Sequence, residues 1–228
     1  MNYQSKMTTP NKFAKCRIMT FDVETTGLIP KYFEKNGVDQ NPHILQLSYV
    51  IFDTDTRSIV KSVDHYIRIP ETIEILPVIT QLTGITREIC ETRGISIETA
   101  LSEFCKDYHT CDYIVAHNHQ FDKKMIEIEL ARLQISSTID IKMQWDLSKS
   151  YCTMQEGIDI CKIERNTSAG KLYYKFPKLS ELYETLFVME KVPPNLHNSL
   201  VDTYVCLRCF LQMKMGIGHS FAIPSSGL

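Results

Sequence analysis

One segment near the start of the chain, residues 17–28, combines the pattern of a buried strand with two acidic side chains. Ile18 and Phe21 would lie on opposite faces of this strand, which is typical of a strand inside a sheet. Asp22 and Glu24 are two positions apart, so their carboxylates share one face at a distance of about 6.5–7 Å. Like charges this close destabilise a fold unless a strong positive charge lies between them. The segment therefore predicts a central strand that binds a divalent cation.

An alternative interpretation of Asp22 and Glu24 is the polar, solvent-facing edge of an antiparallel strand. Apolar residues on both faces favour a central strand instead, and hence a functional pair. The turn that follows, Thr25-Thr26-Gly27, can also present backbone N–H groups to an anion, although such a turn is a weak signal by itself.

Two later segments supply two more acids and a histidine, and each acid has an ordinary explanation when taken alone. Asp122 falls in the first turn of a predicted helix, where the helix dipole favours an acid by about 0.3–1 kcal/mol. Asp202 fits a capping box that begins at Ser199, and His197 lies in a loop, where histidines are usually surface residues. Together with the strand pair, however, the segments predict a hydrolytic metal site; they read His117-Asn-His-Gln-Phe-Asp122 and His197-Asn-Ser-Leu-Val-Asp202.

The composition is that of one ordinary globular domain. The chain has 228 residues, of which 43% are hydrophobic and 23% charged. We expect a polar disordered arm at residues 1–14, a single domain at 15–215 and a short tail at 216–228. The formal net charge of −2 excludes a general attraction to nucleic acid, so any such binding must be local. No apolar run is long enough to cross a membrane and the polar start does not resemble a secretory signal, so we expect a soluble, intracellular protein without membrane contact.

The eight cysteines predict buried free thiols, because they lie in apolar helix or strand patterns of a chain too large to need disulfides. Cys206 and Cys209 have the spacing of half a zinc motif. A second Cys-x-x-Cys pair is missing from the sequence, so we do not expect zinc there.

The order of the predicted elements indicates an α/β fold with a mixed central sheet. A first strand at about 16–24 is followed by a hairpin of two strands, at 44–52 and 59–69. A short helical turn at 85–90, a helix at 96–105 and a strand at 113–116 come next. Helices are then predicted directly after residue 118, after 177 and from about 199 to 215. Antiparallel strands followed by alternating helices and strands predict a mixed sheet.

The three acidic segments, in this order, resemble the motifs of the DnaQ-like 3′→5′ exonucleases of the DEDDh type. The first motif of that family, Asp-x-Glu-Thr-Thr-Gly, matches residues 22–27 without a gap. The second resembles His117-Asn118 followed by Phe121-Asp122, and the third, His-x-x-x-x-Asp, matches 197–202. The resemblance covers about residues 16–213 and implies a ribonuclease H-like fold, with a mixed five-stranded central sheet flanked by helices on both faces.

The resemblance and the ligand chemistry together imply roles for the acidic residues and the histidine. Oxygen-only ligands suit Mg²⁺ or Mn²⁺, and phosphodiester hydrolysis is served by two such ions. We expect Asp22, Glu24 and Asp202 to be the main ligands, with Asp122 holding the second ion. His197 would be the general base that takes a proton from the attacking water, because imidazole titrates near physiological pH.

The resemblance also implies substrate contacts around the ions. Backbone N–H groups near Thr25 and Thr26 would hold the terminal 3′-OH, and Leu28 would wedge against the last base. Asn118 would contact the scissile nucleotide, and Phe121 would pack behind the site. The products would be nucleoside 5′-monophosphates.

Three features are not explained by the resemblance. His119 stands where relatives commonly have a small residue, and we expect it to be exposed to solvent. Ser199 stands where alanine is usual. The stretch 157–175, which contains Lys171-Leu-Tyr-Tyr-Lys175, has the composition of a surface that stacks and neutralises a single strand. A twisted hairpin with a solvated face is the simpler expectation for it.

The sequence leaves several alternatives open. Single-stranded DNA with a free 3′ end is the favoured substrate, but the same site residues would serve a 3′→5′ exoribonuclease. A non-catalytic, polymerase-associated binding module is a further alternative, and association with a polymerase is an expected partnership for either class. The compartment, and whether a cell or a virus encodes the chain, are not indicated.

Overall fold

A computed structural model describes residues 15–30, 40–136, 143–218 and 221–224. The sheet contains five strands: β1 (Arg17–Thr25), β2 (Ile44–Asp53), β3 (Ser58–Tyr66), β4 (Tyr113–Ala116) and β5 (Ser150–Cys152). Their order is β3-β2-β1-β4-β5, with β1, β2 and β3 antiparallel and with β4 parallel to both β1 and β5. The mixed five-stranded sheet and the central position of β1 are therefore confirmed. The expected arm at 1–14 and parts of the expected tail lie outside the described residues.

Eight α-helices in the described residues accompany the sheet. They are α1 (Pro77–Thr83), α2 (Arg87–Thr92), α3 (Ile97–Tyr108), α4 (His119–Ser136), α5 (Thr153–Glu156), α6 (Ile158–Cys161), α7 (Leu179–Leu186) and α8 (Ser199–Met215). Polar side chains cap the helices that carry most of the packing: Ser96 accepts a hydrogen bond from Thr99 N at the start of α3, and Asn198 accepts one from Val201 N at the start of α8. None of the helices in the described part of the chain is long and apolar enough to span a membrane.

The two faces of β1 are covered by different helices. Met19, Phe21 and Val23 pack into a core that contains residues of α3 and α4. Ile18 packs into a second core that contains residues of α7 and α8. Because side chains alternate along a strand, Asp22 shares the α8 face with Ile18. The acids of β1 therefore lie on the face of the sheet that α8, the helix with Asp202, covers.

All eight cysteines are free thiols, six of them buried and two partly buried. This confirms the prediction of free thiols. Cys206 and Cys209 lie on α8 and pack into the second core, where burial raises the pKa of both thiols and keeps them protonated.

The stretch 157–175 contains a second, two-stranded antiparallel sheet. Its strands are β6 (Glu164–Asn166) and β7 (Leu172–Tyr174), and all six of their residues are exposed. The expected hairpin with a solvated face is confirmed.

His119 is buried, so the expectation of an exposed side chain was wrong. Its ring packs edge-on against Phe21 at 5.8 Å and Trp145 at 5.9 Å, measured between ring centroids. Burial, helped by the charge of Lys123, lowers the pKa of His119 to about 4. A neutral imidazole therefore fills the space between α4 and the aromatic core, which the local sequence pattern did not reveal.

Candidate active site

The carboxyl ends of β1 and β4 lie side by side, and the candidate site forms there. The parallel register pairs Thr20 with Val115, which puts Asp22 level with His117, two residues further along each strand. A pocket of about 460 Å³ opens at this edge of the sheet. Such crevices beyond the carboxyl ends of strands are where α/β folds commonly bind ligands. The pocket lining includes all four predicted acids and His197.

Three carboxylates converge at the pocket floor. One oxygen each from Asp22, Glu24 and Asp202 can be chosen so that all three lie within 4.8 Å of one another. Asp22 and Glu24 come from β1, and Asp202 comes from the first turn of α8. The fourth acid, Asp122, is 3% exposed in the first turn of α4 and accepts a hydrogen bond from the backbone N–H of Val23. The fold thus brings together Asp22 and Asp202, which are 180 positions apart in the sequence.

The electrostatics of the cluster are unfavourable for four ionised acids. Burial, followed by the neighbouring carboxylates, raises the pKa of Asp22 well above its usual value and that of Glu24 to about 9. Burial likewise raises the pKa of Asp202 to about 7 and that of Asp122 well above normal. The repulsion predicted from the spacing of the acids is thus present in the fold, and it is strengthened by burial.

A divalent cation fits this donor set. Within the described residues, Asp122 Oδ2 and Asp202 Oδ1 are buried and have no hydrogen-bond partner. Buried carboxylate oxygens without partners are costly, and a hard cation bound through oxygen ligands removes that cost. The orphaned oxygens and the clustered charges therefore both point to metal binding.

Metal removal is expected to make the stability of the protein depend strongly on pH. Unfolded Asp and Glu have pKa values of about 4, and the folded values of Asp202 and Glu24 are about 7 and about 9. Because the folded pKa values are raised, the free energy of unfolding is highest below a pH of about 4. It decreases as the pH rises toward 9. Thermal melting in a chelator at pH 5, 7 and 9 should show a falling Tm, and added Mg²⁺ should restore it most at pH 9. If added Mg²⁺ does not change the Tm at any pH, the assignment of a metal site is contradicted.

His197 lies exposed in the loop before α8, with its backbone in the left-handed region at φ 73°. Its backbone N–H donates a hydrogen bond of 3.1 Å to Asp202 Oδ2. The alternative explanation of Asp202, a capping box that begins at Ser199, differs in register from the structure, because Asn198 caps α8 and Asp202 accepts its bond from the residue before that cap. This bond ties the loop that carries the imidazole to the acid cluster.

Ser199 connects three elements beneath the site. Its hydroxyl donates to the backbone oxygen of Asp22 at 2.7 Å, and its backbone N–H donates to Gln46 Oε1 at 3.3 Å. Alanine at this position could not make the first of these bonds. The departure from the family pattern thus adds a polar link between α8 and β1.

The expected substrate contacts are only partly assembled in the pocket. Leu28, Asn118 and Phe121 contribute to its lining, and Leu28 is 85% exposed. Thr25 and Thr26 are not part of the lining. The backbone N–H of Thr26 donates to the backbone oxygen of His43, so a bond from this N–H to a 3′-OH is not supported.

The pocket lining also includes residues to which the sequence assigned no role, and they are Val23, His117, Lys178, Leu179, Ser180 and Leu196. His117 Nε2 lies 3.1 Å from the backbone oxygen of Pro177, and Nδ1 lies 3.0 Å from Thr153 Oγ1. Burial lowers the pKa of His117 to about 4, so the neutral ring donates to Pro177 and accepts from Thr153. His117 thereby fixes the start of α7 at the pocket, a contact across 60 residues that no sequence spacing indicates.

The mixed sheet, with its acids at the end of the central strand, is the arrangement of the ribonuclease H-like fold. A sequence profile described as the RNase_T exonuclease family matches residues 19–210. The chain belongs to this family of exonucleases. A comparison with curated protein sequences found no match.

Solved structures of exonucleases share the fold. The nuclease domain of 3′hExo, a DEDDh family member bound to rAMP, is 19% identical with a TM-score of 0.55, and the match covers 88% of this chain and 94% of that one. A 3′-exonuclease that recognises the 3′ end of a histone mRNA stem-loop is 15% identical with a TM-score of 0.60, over 88% and 84% of the two chains. E. coli exonuclease I with a dT13 oligonucleotide is 15% identical with a TM-score of 0.55, over 86% and 41%. The chain spans 60% of the length of a full-length 3′-exonuclease.

Proposed function

We propose that this protein is a metal-dependent exonuclease that removes nucleotides one at a time from the 3′ end of single-stranded nucleic acid, preferably DNA. The products are nucleoside 5′-monophosphates. The observation that carries the proposal is the convergence of Asp22, Glu24 and Asp202 within 4.8 Å, with the orphaned oxygen of Asp122 in the same pocket.

Asp22, Glu24 and Asp202 are the main ligands of two Mg²⁺ or Mn²⁺ ions in this proposal, and Asp122 holds the second ion directly or through water. When bound, such ions lower the pKa of water and stabilise charge on the attacking and leaving oxygens of a phosphodiester. The four carboxylates, which repel one another in the metal-free protein, are then neutralised.

His197 acts as the general base by accepting a proton from the attacking water on an imidazole nitrogen. Its exposed position lets the ring approach the bound strand, while its backbone stays tied to Asp202 Oδ2. At the rim, Leu28 packs on the terminal base and Asn118 contacts the scissile nucleotide. Phe121 lies behind the site, and Lys178 offers the pocket a positive charge for phosphate.

The direct test uses single-stranded DNA and RNA of one sequence, each labelled at the 5′ end. The protein with Mg²⁺ should produce a ladder of products shortened from the 3′ end, and a chelator should stop the reaction. Faster shortening of DNA supports the stated preference. Internal cuts would indicate an endonuclease, and no cleavage of either strand would favour a non-catalytic binding module.

A 3′→5′ exoribonuclease is the second candidate, because one structure with the same fold recognises the 3′ end of an mRNA stem-loop and another is bound to the ribonucleotide rAMP. Faster shortening of the RNA strand in the same assay would select it. Association with a polymerase and an intracellular location stay predictions, which co-purification and localisation of the tagged protein would test.

A further inference from the structure

The segment 162–178, which we call the tyrosine hairpin, has a charge opposite to that of the whole chain. It contains β6 and β7 with their flanks. It has one acidic residue, Glu164, against five basic residues, which gives it a net charge of +4 in a protein of net charge −2; the basic residues are Lys162, Arg165, Lys171, Lys175 and Lys178. A positive surface this concentrated favours a polyanion as its partner.

The tyrosine hairpin also exposes large apolar side chains without a core beneath them. Leu172, Tyr173, Tyr174 and Phe176 are 54%, 47%, 42% and 52% exposed. Arg165 is the direct cross-strand neighbour of Tyr173. A two-stranded hairpin with both faces in solvent is marginally stable, and exposed aromatic groups of this kind mark binding surfaces.

The base of the tyrosine hairpin is fixed to the wall of the active-site pocket. Lys175 Nζ lies 2.7 Å and 2.6 Å from the two carboxylate oxygens of Glu181 in α7. Pro177 is held by its bond from His117, and Lys178 is itself part of the pocket lining. The base of the tyrosine hairpin therefore adjoins the active-site pocket.

We propose that the tyrosine hairpin binds the single-stranded nucleic acid on the 5′ side of the nucleotide being removed. Tyr173 and Tyr174 stack on bases, and Arg165 and Lys171 contact the phosphates. The ligand is nucleic acid because positively charged side chains are interspersed with the exposed aromatic rings, and because the same surface includes Lys178 of the pocket lining. This inference rests on the proposed function, since it concerns the same substrate.

The test compares the affinity for long strands with the hydrolysis of a substrate too short to reach the hairpin. Fluorescence anisotropy with a labelled 12-nucleotide strand is measured in an inactive Asp22→Asn background with Mg²⁺. We expect Tyr173→Ala with Tyr174→Ala to raise the Kd by about 10- to 100-fold, the loss of one or two stacked bases. Replacing both tyrosines by tryptophan should retain binding. Lys171→Ala should reduce the slope of log Kd against log salt by about 0.7.

The matched control is Val78→Ala with Leu82→Ala, which alters two exposed apolar residues on α1, a helix outside the pocket lining. It should leave the Kd unchanged. In the otherwise active protein, the double tyrosine variant should hydrolyse a dinucleotide at the normal rate and should raise KM only for long strands.

The failures of the two proposals are distinguishable. An unchanged Kd in the double tyrosine variant, with dinucleotide hydrolysis intact, would overturn the hairpin assignment and leave the exonuclease proposal standing. That result is also the one expected if a protein partner covers the hairpin instead. If the unaltered protein hydrolyses no strand of any length, the exonuclease proposal fails, and a raised Kd would still support the hairpin as a binding surface.

Discussion

Asp22→Asn is expected to abolish exonuclease activity while leaving the protein folded. The substitution keeps the shape of the side chain but removes one of three charges that lie within 4.8 Å of one another. Electrostatic stabilisation of the reacting groups is usually the largest contribution to catalysis, so turnover should fall by about 10³-fold or more. The rate of nucleotide release from a 5′-labelled strand, measured at several Mg²⁺ concentrations, provides the test.

The same substitution should stabilise the metal-free protein. Burial and three neighbouring carboxylates raise the pKa of Asp22, so an uncharged amide relieves repulsion that the carboxylate creates. The variant should therefore lose activity while its metal-free Tm increases. A variant with a damaged fold would instead lose both activity and thermal stability. Near-normal turnover in the variant would show that Asp22 is not a ligand.

Asp112→Asn is the matched control for this experiment. Asp112 is exposed, accepts a hydrogen bond of 2.8 Å from Arg17 N and lies outside the pocket lining. Its substitution removes the same charge from the chain without changing the acid cluster. It should leave turnover and the response to Mg²⁺ unchanged.

The features that the sequence predicted correctly are those set by short-range geometry. The two-residue alternation of a strand places Asp22 and Glu24 on one face, and apolar residues on both faces of β1 require a central position. The 3.6-residue period of a helix likewise placed Asp122 in the first turn of α4. Such patterns depend only on neighbouring residues, so one sequence is enough to reveal them.

The features that the sequence did not reveal depend on contacts between distant segments. His119 is buried because Phe21 and Trp145 come from other parts of the chain. The backbone N–H of Thr26 already donates a hydrogen bond to the backbone oxygen of His43, which belongs to a different segment of the chain. Lys178 reaches the pocket because His117 holds Pro177. Motifs and helical or strand periods relate only residues that are close in the sequence, so they could not predict these contacts.

His197→Asn is expected to lower turnover by about 10²–10⁴-fold without weakening metal or substrate binding, because it removes only the proposed general base. Asparagine is the informative replacement. His197 has a backbone φ of 73°, a conformation that asparagine adopts readily and that costs most other residues about 1–2 kcal/mol. The bond from the backbone N–H to Asp202 Oδ2 does not involve the side chain and should survive.

The loop around His197 is anchored independently of the imidazole, which makes the substitution a clean test. Arg208 in α8 donates to both carboxylate oxygens of Glu190, at 2.6 Å and 2.7 Å, and Asn198 caps the helix at the other end of the loop. A loss of turnover in His197→Asn with intact metal and strand binding would therefore support the proposed proton acceptor and argue against a displaced loop. Single-turnover rates, strand affinity and Mg²⁺ titration separate these effects, and added imidazole should restore part of the rate. A variant with normal turnover would mean that another group accepts the proton, and a variant with lost Mg²⁺ binding would mean that His197 acts through the acids instead.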